Sequence, residues 1–303
     1  MADIDIMADI DIITGFLGAG KTTFANLLLN EYLLKNERAV FIVNEFGKTS
    51  LDAELIKKEG FDTVALSNGC ICCSLKNDLA LSLKQIIKTF NPTKIVFETS
   101  GIFIFNQFED ILKDEFLKDN CTISRTITIV DSINYKRSSI AAGGFLYNQI
   151  KNSSMLVISK LERFSGGVSE IICDLKNINP QAVIMAEPWN EKDFIKKVLS
   201  AHAAFGGIST TDKNHALMNS LTIVSIKDFT NEGFYELKNE ILREKFGRIF
   251  RVKGTIRIEG EVYLLNIAMD DIVLKKAAQG ARPILTFIGD KIDAQLLRGV
   301  FDN

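Results

Sequence analysis

Residues Gly15-Phe16-Leu17-Gly18-Ala19-Gly20-Lys21-Thr22 satisfy in full the pattern of a glycine, four residues of any kind, Gly-Lys, and then Ser or Thr. The flanks narrow it further. The apolar run Ile10 to Thr14 predicts a short strand entering the glycines, and Lys21 to about Lys35 predicts a helix leaving them. Strand, glycine turn and helix in that order make a phosphate cradle. Glycines let successive backbone N–H groups converge on phosphate oxygens, and the helix start adds partial positive charge. Lys21 is expected to reach the β- and γ-phosphates and Thr22 to set its hydroxyl on Mg²⁺. Gly15, Gly18, Ala19, Gly20 and Thr23 are expected to complete the nucleotide contacts.

The alternation continues downstream. Ala39 to Val43, Thr63 to Leu66, Lys94 to Phe97, Thr126 to Val130, Ser154 to Ile158 and Ala182 to Met185 are apolar runs of strand length. Between them Leu75 to Lys88, Phe105 to Lys113, Ala141 to Lys151 and Gly167 to Asn177 carry helical spacing. Apolar strands alternating with helices predict an α/β fold, a doubly wound, mostly parallel P-loop NTPase sheet. The texture changes after Trp189, and residues 201–219 read as a linker around Gly206-Gly207. A strand (Leu221 to Ile226), a helix (Phe234 to Lys245), a strand pair turning at Gly260 and a strand from Ile284 to Ile288 follow. The chain therefore divides into a P-loop domain over 1–200 and a smaller α+β C-terminal domain over 220–303.

A net charge of -2 offers no general attraction to nucleic acid or to an anionic membrane. No apolar run reaches the roughly 18 residues that span a bilayer. The first twelve residues repeat MADIDI in tandem, carry four aspartates and have no basic residue, unlike a secretion signal. The expectation is a cytoplasmic protein whose natural start is Met7. Three of five cysteines, Cys70, Cys72 and Cys73, fall within four residues between a strand and a helix. Thiolates so grouped are soft ligands for Zn²⁺, Co²⁺, Ni²⁺ or Cu⁺, and three leave a position open for transfer. Structural thiols or a redox pair are the other readings. Cys121 and Cys173 stand alone and read as small buried hydrophobes, and His202 and His215 read as solvated linker residues.

GFLGAGKTT at 15–23, VNEFG at 43–47, SNGCICC at 67–73 and ETSG at 98–101 stand in order, followed by RVKGTIRIEGE at 251–261 and RPILTFIG at 282–289. Together they resemble the CobW-type GTPases, a family of cytoplasmic metallochaperones, over essentially the whole chain. The resemblance implies GTP hydrolysis coupled to metal binding at the cysteine cluster, with Zn²⁺, Co²⁺ or Ni²⁺ as the metal. It puts Glu98 beside Mg²⁺, holding it through water, Gly101 at the γ-phosphate, and Glu45 and Asp52 at acidic positions of the first switch segment, Glu45 as a ligand on the transition-metal side or an acid on the Mg²⁺ side, with solvated loop charges as the other reading of both.

Four departures stand out. Ser159-Lys160-Leu161-Glu162 occupies the place of the guanine-reading Asn-Lys-x-Asp, so Lys160 would cover the base, Glu162 would read it on a longer stem, and Ser159 stands where an Asn would support the loop. Lys48 follows NEFG where relatives often have an acid. No His-rich stretch is present, and GIFIFNQF after ETS is unusually apolar. Asp131 is expected to cap the following helix, Trp189 to pack, and Gln149 matches a family position without an assigned role.

The expected activity is thus a slow GTPase, with Lys21, Thr22 and Glu98 as the catalytic set, that carries a transition metal to a client metalloprotein. It would act as a monomer or a nucleotide-dependent homodimer. A nucleotide-gated metal-sensing module, and a P-loop ATPase or small-molecule kinase, are the alternatives.

Overall fold

The computed structural model describes residues 7–45, 61–67, 75–101, 103, 105, 113–141, 143–203, 219–225, 227–268, 271–278 and 280–302. The chain divides into two compact units, Met1–His215 and Ala216–Asn303.

The first unit opens with β1 (Ala8–Gly15), α1 (Lys21–Leu34), β2 (Ala39–Glu45), β3 (Asp62–Ser67), α2 (Leu75–Phe90) and β4 (Lys94–Glu98). It continues with α3 (Glu115–Asn120), β5 (Cys121–Asp131), α4 (Tyr135–Ala141), α5 (Gly143–Lys151), β6 (Met155–Ser159), α6 (Val168–Ile178), β7 (Val183–Met185) and α7 (Phe194–Ser200). All seven strands run parallel in the order β3-β2-β4-β1-β5-β6-β7. Strand β1 sits between β4 and β5, so the chain winds outward first to one side and then to the other. All carboxyl ends therefore share one edge, bringing Gly15, Glu45, Glu98, Asp131 and Ser159 to the same rim.

Each face of the sheet is covered. Phe24, Ala25, Leu28, Leu29 and Tyr32 form the inner stripe of α1 and pack with Ile13, Phe41, Val96, Ile127, Phe194 and Val198. On the other face Leu79, Leu83, Ile86 and Ile87 of α2 meet Ile10, Ile12, Ile42 and Phe97. Asp114 caps α3 by accepting from the amides of Phe116 and Leu117. The expected helix over Phe105 to Lys113 falls largely outside the described residues. The helix expected from Ala141 corresponds to α5, with a separate α4 before it.

One buried carboxylate interrupts the apolar α1 face. Asp11 on β1 accepts from the Tyr32 hydroxyl and from Arg125 Nη1 on β5, at 3.1 Å for the latter. Arg125 Nη2 donates to the carbonyl of Leu199 at 3.1 Å, near the end of α7. Burial pushes the Asp11 carboxyl above its ordinary range, against the opposing pull of Arg125, and pushes the Tyr32 phenol up. The cluster ties β1, β5, α1 and α7 together through polar contacts that only this packing can satisfy.

The second unit holds β8 (Asn219–Val224), β9 (Asp228–Phe229), α8 (Asn231–Leu242), β10 (Arg248–Ile258), β11 (Glu261–Ala268), β12 (Asp271–Lys276), β13 (Ile284–Asp290) and α9 (Ala294–Phe301). Five strands form an antiparallel path β12-β11-β10-β13-β8, and β9 pairs with β10 in parallel. Glu259 and Gly260 both have positive φ, 50° and 78°, and turn β10 into β11 through a two-residue hairpin. Thr230 and Asp293 cap α8 and α9, whose Leu237, Ile241, Leu297 and Phe301 cover one side of the sheet.

Emission from Trp189, the single tryptophan, reports unfolding of the first unit in urea. Tyr32→Phe should lower that unit's stability by about 2 kcal/mol, the value of a hydrogen bond to a buried charge. Arg125→Met should cost about 3 kcal/mol by stranding Asp11. A loss under about 1 kcal/mol in Arg125→Met would show that the carboxyl is neutral and the pair not ionic.

Candidate functional site

The phosphate-loop pattern lies at the rim as its spacing predicts. Gly15 ends β1 at φ 140°, and a Cβ there would lie 2.5 Å from the carbonyl oxygen of Ile129 on β5. Only glycine fits. Gly18 (φ 75°) and Gly20 (φ 101°) take left-handed turns, and Gly20 delivers the chain into α1. Phe16, Leu17 and Ala19 are buried, so the loop is anchored by its apolar side chains. Lys21 Nζ donates to the carbonyls of Gly15 at 2.9 Å and Phe16 at 3.2 Å, which lays the ammonium along the loop. Thr22 Oγ1 donates to Glu98 Oε1 at 2.8 Å, from the first turn of α1 to the end of β4. Glu98 is 5% exposed. Thr23 points outward and is exposed.

Gly101, three residues beyond Glu98, abuts the loop itself. A Cβ there would meet Leu17 Cδ2 at 2.4 Å and the Leu17 backbone nitrogen at 2.9 Å. The carbonyls of Gly101 and Phe103 each accept from Gln149 Nε2 on α5 at 3.2 Å.

The segment expected to read the base begins at the end of β6. Buried Ser159 donates from Oγ to the carbonyl of Ala19 at 2.7 Å. That hydroxyl ties the segment to the phosphate loop. Ser132 Oγ donates in turn to the Ser159 carbonyl at 2.7 Å. Lys160 stands at φ 62°, and its ammonium lies 2.7 Å from Asp131 Oδ2. Asp131 also accepts from the amides of Ile133 and Asn134, which closes the turn before α4 rather than capping the helix itself, the role expected of it. Glu162 is exposed on the short 3-10 turn Leu161–Arg163. Trp189 donates from Nε1 to the Ile158 carbonyl at 3.1 Å and packs edge-on against Phe24, with Gly20 beneath its ring edge.

The metal side of the prediction lies elsewhere. The backbone of Glu45 ends β2, in register with Ser67 of β3. Its side chain, and Lys48, Asp52, Cys70, Cys72, Cys73 and His215, lie outside the described residues. His202 is exposed. Cys121 is buried, its Sγ donating to the Leu117 carbonyl, and burial pushes its thiol up to about 11. Cys173 is exposed, against the burial expected of it. Among the described residues no group of three or more His, Cys, Asp or Glu is placed to hold a metal ion, and no helix is long and apolar enough to cross a membrane.

Comparison with known proteins agrees with this geometry. Residues 9–186 match the family model "CobW/HypB/UreG, nucleotide-binding domain", and residues 218–303 match "Cobalamin synthesis protein cobW C-terminal domain". A Sinorhizobium sp. protein named zinc chaperone CobW is 33% identical over 154 residues, 48% of this chain and 41% of that one. A Pseudomonas aeruginosa protein of the same name shares 30% over 45% of this chain and 37% of its own. The chain thus spans about two fifths of these relatives' length. Zinc chaperone YjiA of Escherichia coli is 24% identical over 83% of this chain and 82% of its own. The crystal structure of Zn(II)-bound YjiA GTPase from E. coli superposes with a TM-score of 0.48 at 18% identity, over 97% of this chain and 98% of that one. The fold assignment rests on the strand order above.

Gly15→Ala should destabilise the first unit by about 1–3 kcal/mol, because the methyl collides with the Ile129 carbonyl in a backbone conformation that side chains avoid. Urea unfolding followed by Trp189 emission measures it, and an unchanged midpoint would contradict the close approach of β1 to β5.

Proposed function

The chain belongs to the CobW/HypB/UreG nucleotide-binding family, and we propose that it is a GTPase that loads a transition metal and hands it to a client protein. The observation that carries the hydrolase part is the part-buried Thr22–Glu98 hydrogen bond beside a complete phosphate loop. A hydroxyl and a carboxylate meeting there form a hard-oxygen donor set, the chemistry that suits Mg²⁺ with its waters. Thr22 and Glu98 would hold that ion, Glu98 through water, and when bound it neutralises charge on the β- and γ-phosphates. Lys21 would swing from the loop carbonyls to the same phosphates, and the amides following Gly15, Gly18, Ala19 and Gly20 would cradle them. Gly101, pressed against Leu17, is positioned to respond to the γ-phosphate.

Base recognition falls to Lys160 and Glu162 on a segment that Ser159 fastens to Ala19. The fastening supports a nucleotide-reading role for the segment despite its altered letters. The cargo is assigned to Cys70, Cys72 and Cys73 with Glu45, on the softness of three thiolates and the zinc chaperone names of the relatives. Zn²⁺ leads Co²⁺ and Ni²⁺ on those names. Coupling follows from continuity: β2 and β3 lead from the nucleotide rim into the acidic and cysteine segments, so nucleotide state and metal affinity would change together.

Metal titration of the purified, reduced protein with GTP, with GDP and without nucleotide is the test. One equivalent of Zn²⁺ should bind, with an affinity differing at least about fivefold between GTP and GDP, and Cys72→Ala should abolish it. Lys21→Ala should retain metal binding but lose the nucleotide dependence and the turnover. Nucleotide-dependent metal binding without GTP turnover would make the protein a metal-sensing module instead. Metal binding indifferent to nucleotide and to Cys72 would end the metallochaperone proposal.

A further inference from the structure

Gln149 has no part in the proposal above, yet it is fully buried on α5 and grips the chain that leaves β4. Both of its N–H groups are spent on backbone carbonyls, those of Gly101 and Phe103, while its Oε1 is buried with no hydrogen-bond partner. Two neutral hydrogen bonds and one stranded acceptor roughly cancel, so the amide adds little net stability. An apolar side chain of the same length would fill the same space but leave the buried Gly101 and Phe103 carbonyls without their donor.

The grip is made from a rigid platform. The Gln149 carbonyl accepts from Thr128 Oγ1 on β5 at 3.0 Å and from Ser153 Oγ at 2.8 Å. Asn179 Nδ2 then donates to the carbonyls of Ile150 at 2.9 Å, Lys151 at 3.1 Å and Ser153 at 2.8 Å. These contacts satisfy the carbonyls that a helix end leaves over and fix α5 to the sheet. The neighbouring Asn148 Oδ1 accepts from the Phe105 amide at 3.4 Å. The held chain touches the phosphate loop directly, since Gly101 abuts Leu17, and begins at Glu98, the partner of Thr22.

We propose that Gln149 is a positioning residue for hydrolysis: by holding the Gly101 and Phe103 carbonyls it sets the separation between the chain after Glu98 and the phosphate loop. The inference rests on the GTPase reading. It predicts that the γ-phosphate side of the site depends on Gln149, whereas the α- and β-phosphate side, built by the loop and α1, does not.

Gln149→Met keeps the length and removes both donors. Its kcat for GTP should fall about tenfold or more, since small misplacements cost that much, while GDP affinity stays within about twofold; the two carbonyls left unpaired lower the melting temperature by several degrees without preventing folding. Gln149→Glu presents an acceptor at neutral pH and regains one donor when protonated. Its kcat relative to the wild type should rise as pH is lowered from about 8 to about 6. An unchanged kcat in Gln149→Met, a parallel loss of GDP affinity, failure of that variant to fold, or a flat pH ratio for Gln149→Glu each overturns the assignment. A wild type that does not turn over GTP overturns the GTPase reading and this inference with it. A wild type that turns over, beside an unaffected Gln149→Met, overturns this inference alone.

Discussion

Parallel pairing of β1 with both β4 and β5 is the constraint from which the site follows. Because the three strands share a direction, Gly15, Glu98 and Asp131 arrive at one rim, and the register sets the depth of each. The closeness of β1 to β5 at that rim is extreme at Gly15, which has room for a hydrogen and nothing more. The buried loop residues Phe16 and Leu17 line a small cavity together with Tyr135 and Ser138 of α4, Leu146 of α5 and Asp131 at the end of β5. A slip of β1 by one residue would exchange Asp11 and Ile13 for Ile10 and Ile12 across the two cores and would remove Glu98 from Thr22.

The parts of this arrangement legible in the sequence are those encoded locally. The phosphate loop declares itself because its glycines, lysine and threonine all lie within eight residues and need no distant partner. The strands of the first sheet are legible because burial on both faces demands unbroken apolar runs. The elements that sequence patterning missed draw their stability from tertiary contacts. Strand β12 is short and edged with charge, and its pairing with β11 defines it. Helix α9 is eight residues with a glycine inside, marginal alone, and held by Leu297 and Phe301 in the second core. Helix α7 follows a texture change and is fastened by Phe194, Val198 and the Arg125–Leu199 bond.

Site residues divide the same way. Ser159 reads as a lost asparagine in the sequence, and only its contact with Ala19, 140 positions away, shows that its hydroxyl fastens the segment to the phosphate loop. The Lys160–Asp131 pair links two positions each credited with a separate task. Ionic hold on Lys160 and a hydroxyl hold on Ser159 make the segment a stiff bracket whose exposed tip carries Glu162. Gln149 carries no local signature, because what distinguishes it is a pair of carbonyls nearly fifty residues upstream.

The reach of Arg125 has a practical meaning for where the first unit can be cut. The family match ends at residue 186, before α7 begins. A fragment stopped there would lose the Leu199 carbonyl together with Phe194 and Val198, opening the α1 face of the core to water beside a buried carboxylate. A fragment carried at least through Ala203, itself buried in that core, keeps these contacts. Dissecting the protein by sequence similarity alone would yield a truncated and sticky fragment, whereas a cut chosen by the polar tie would leave a clean one.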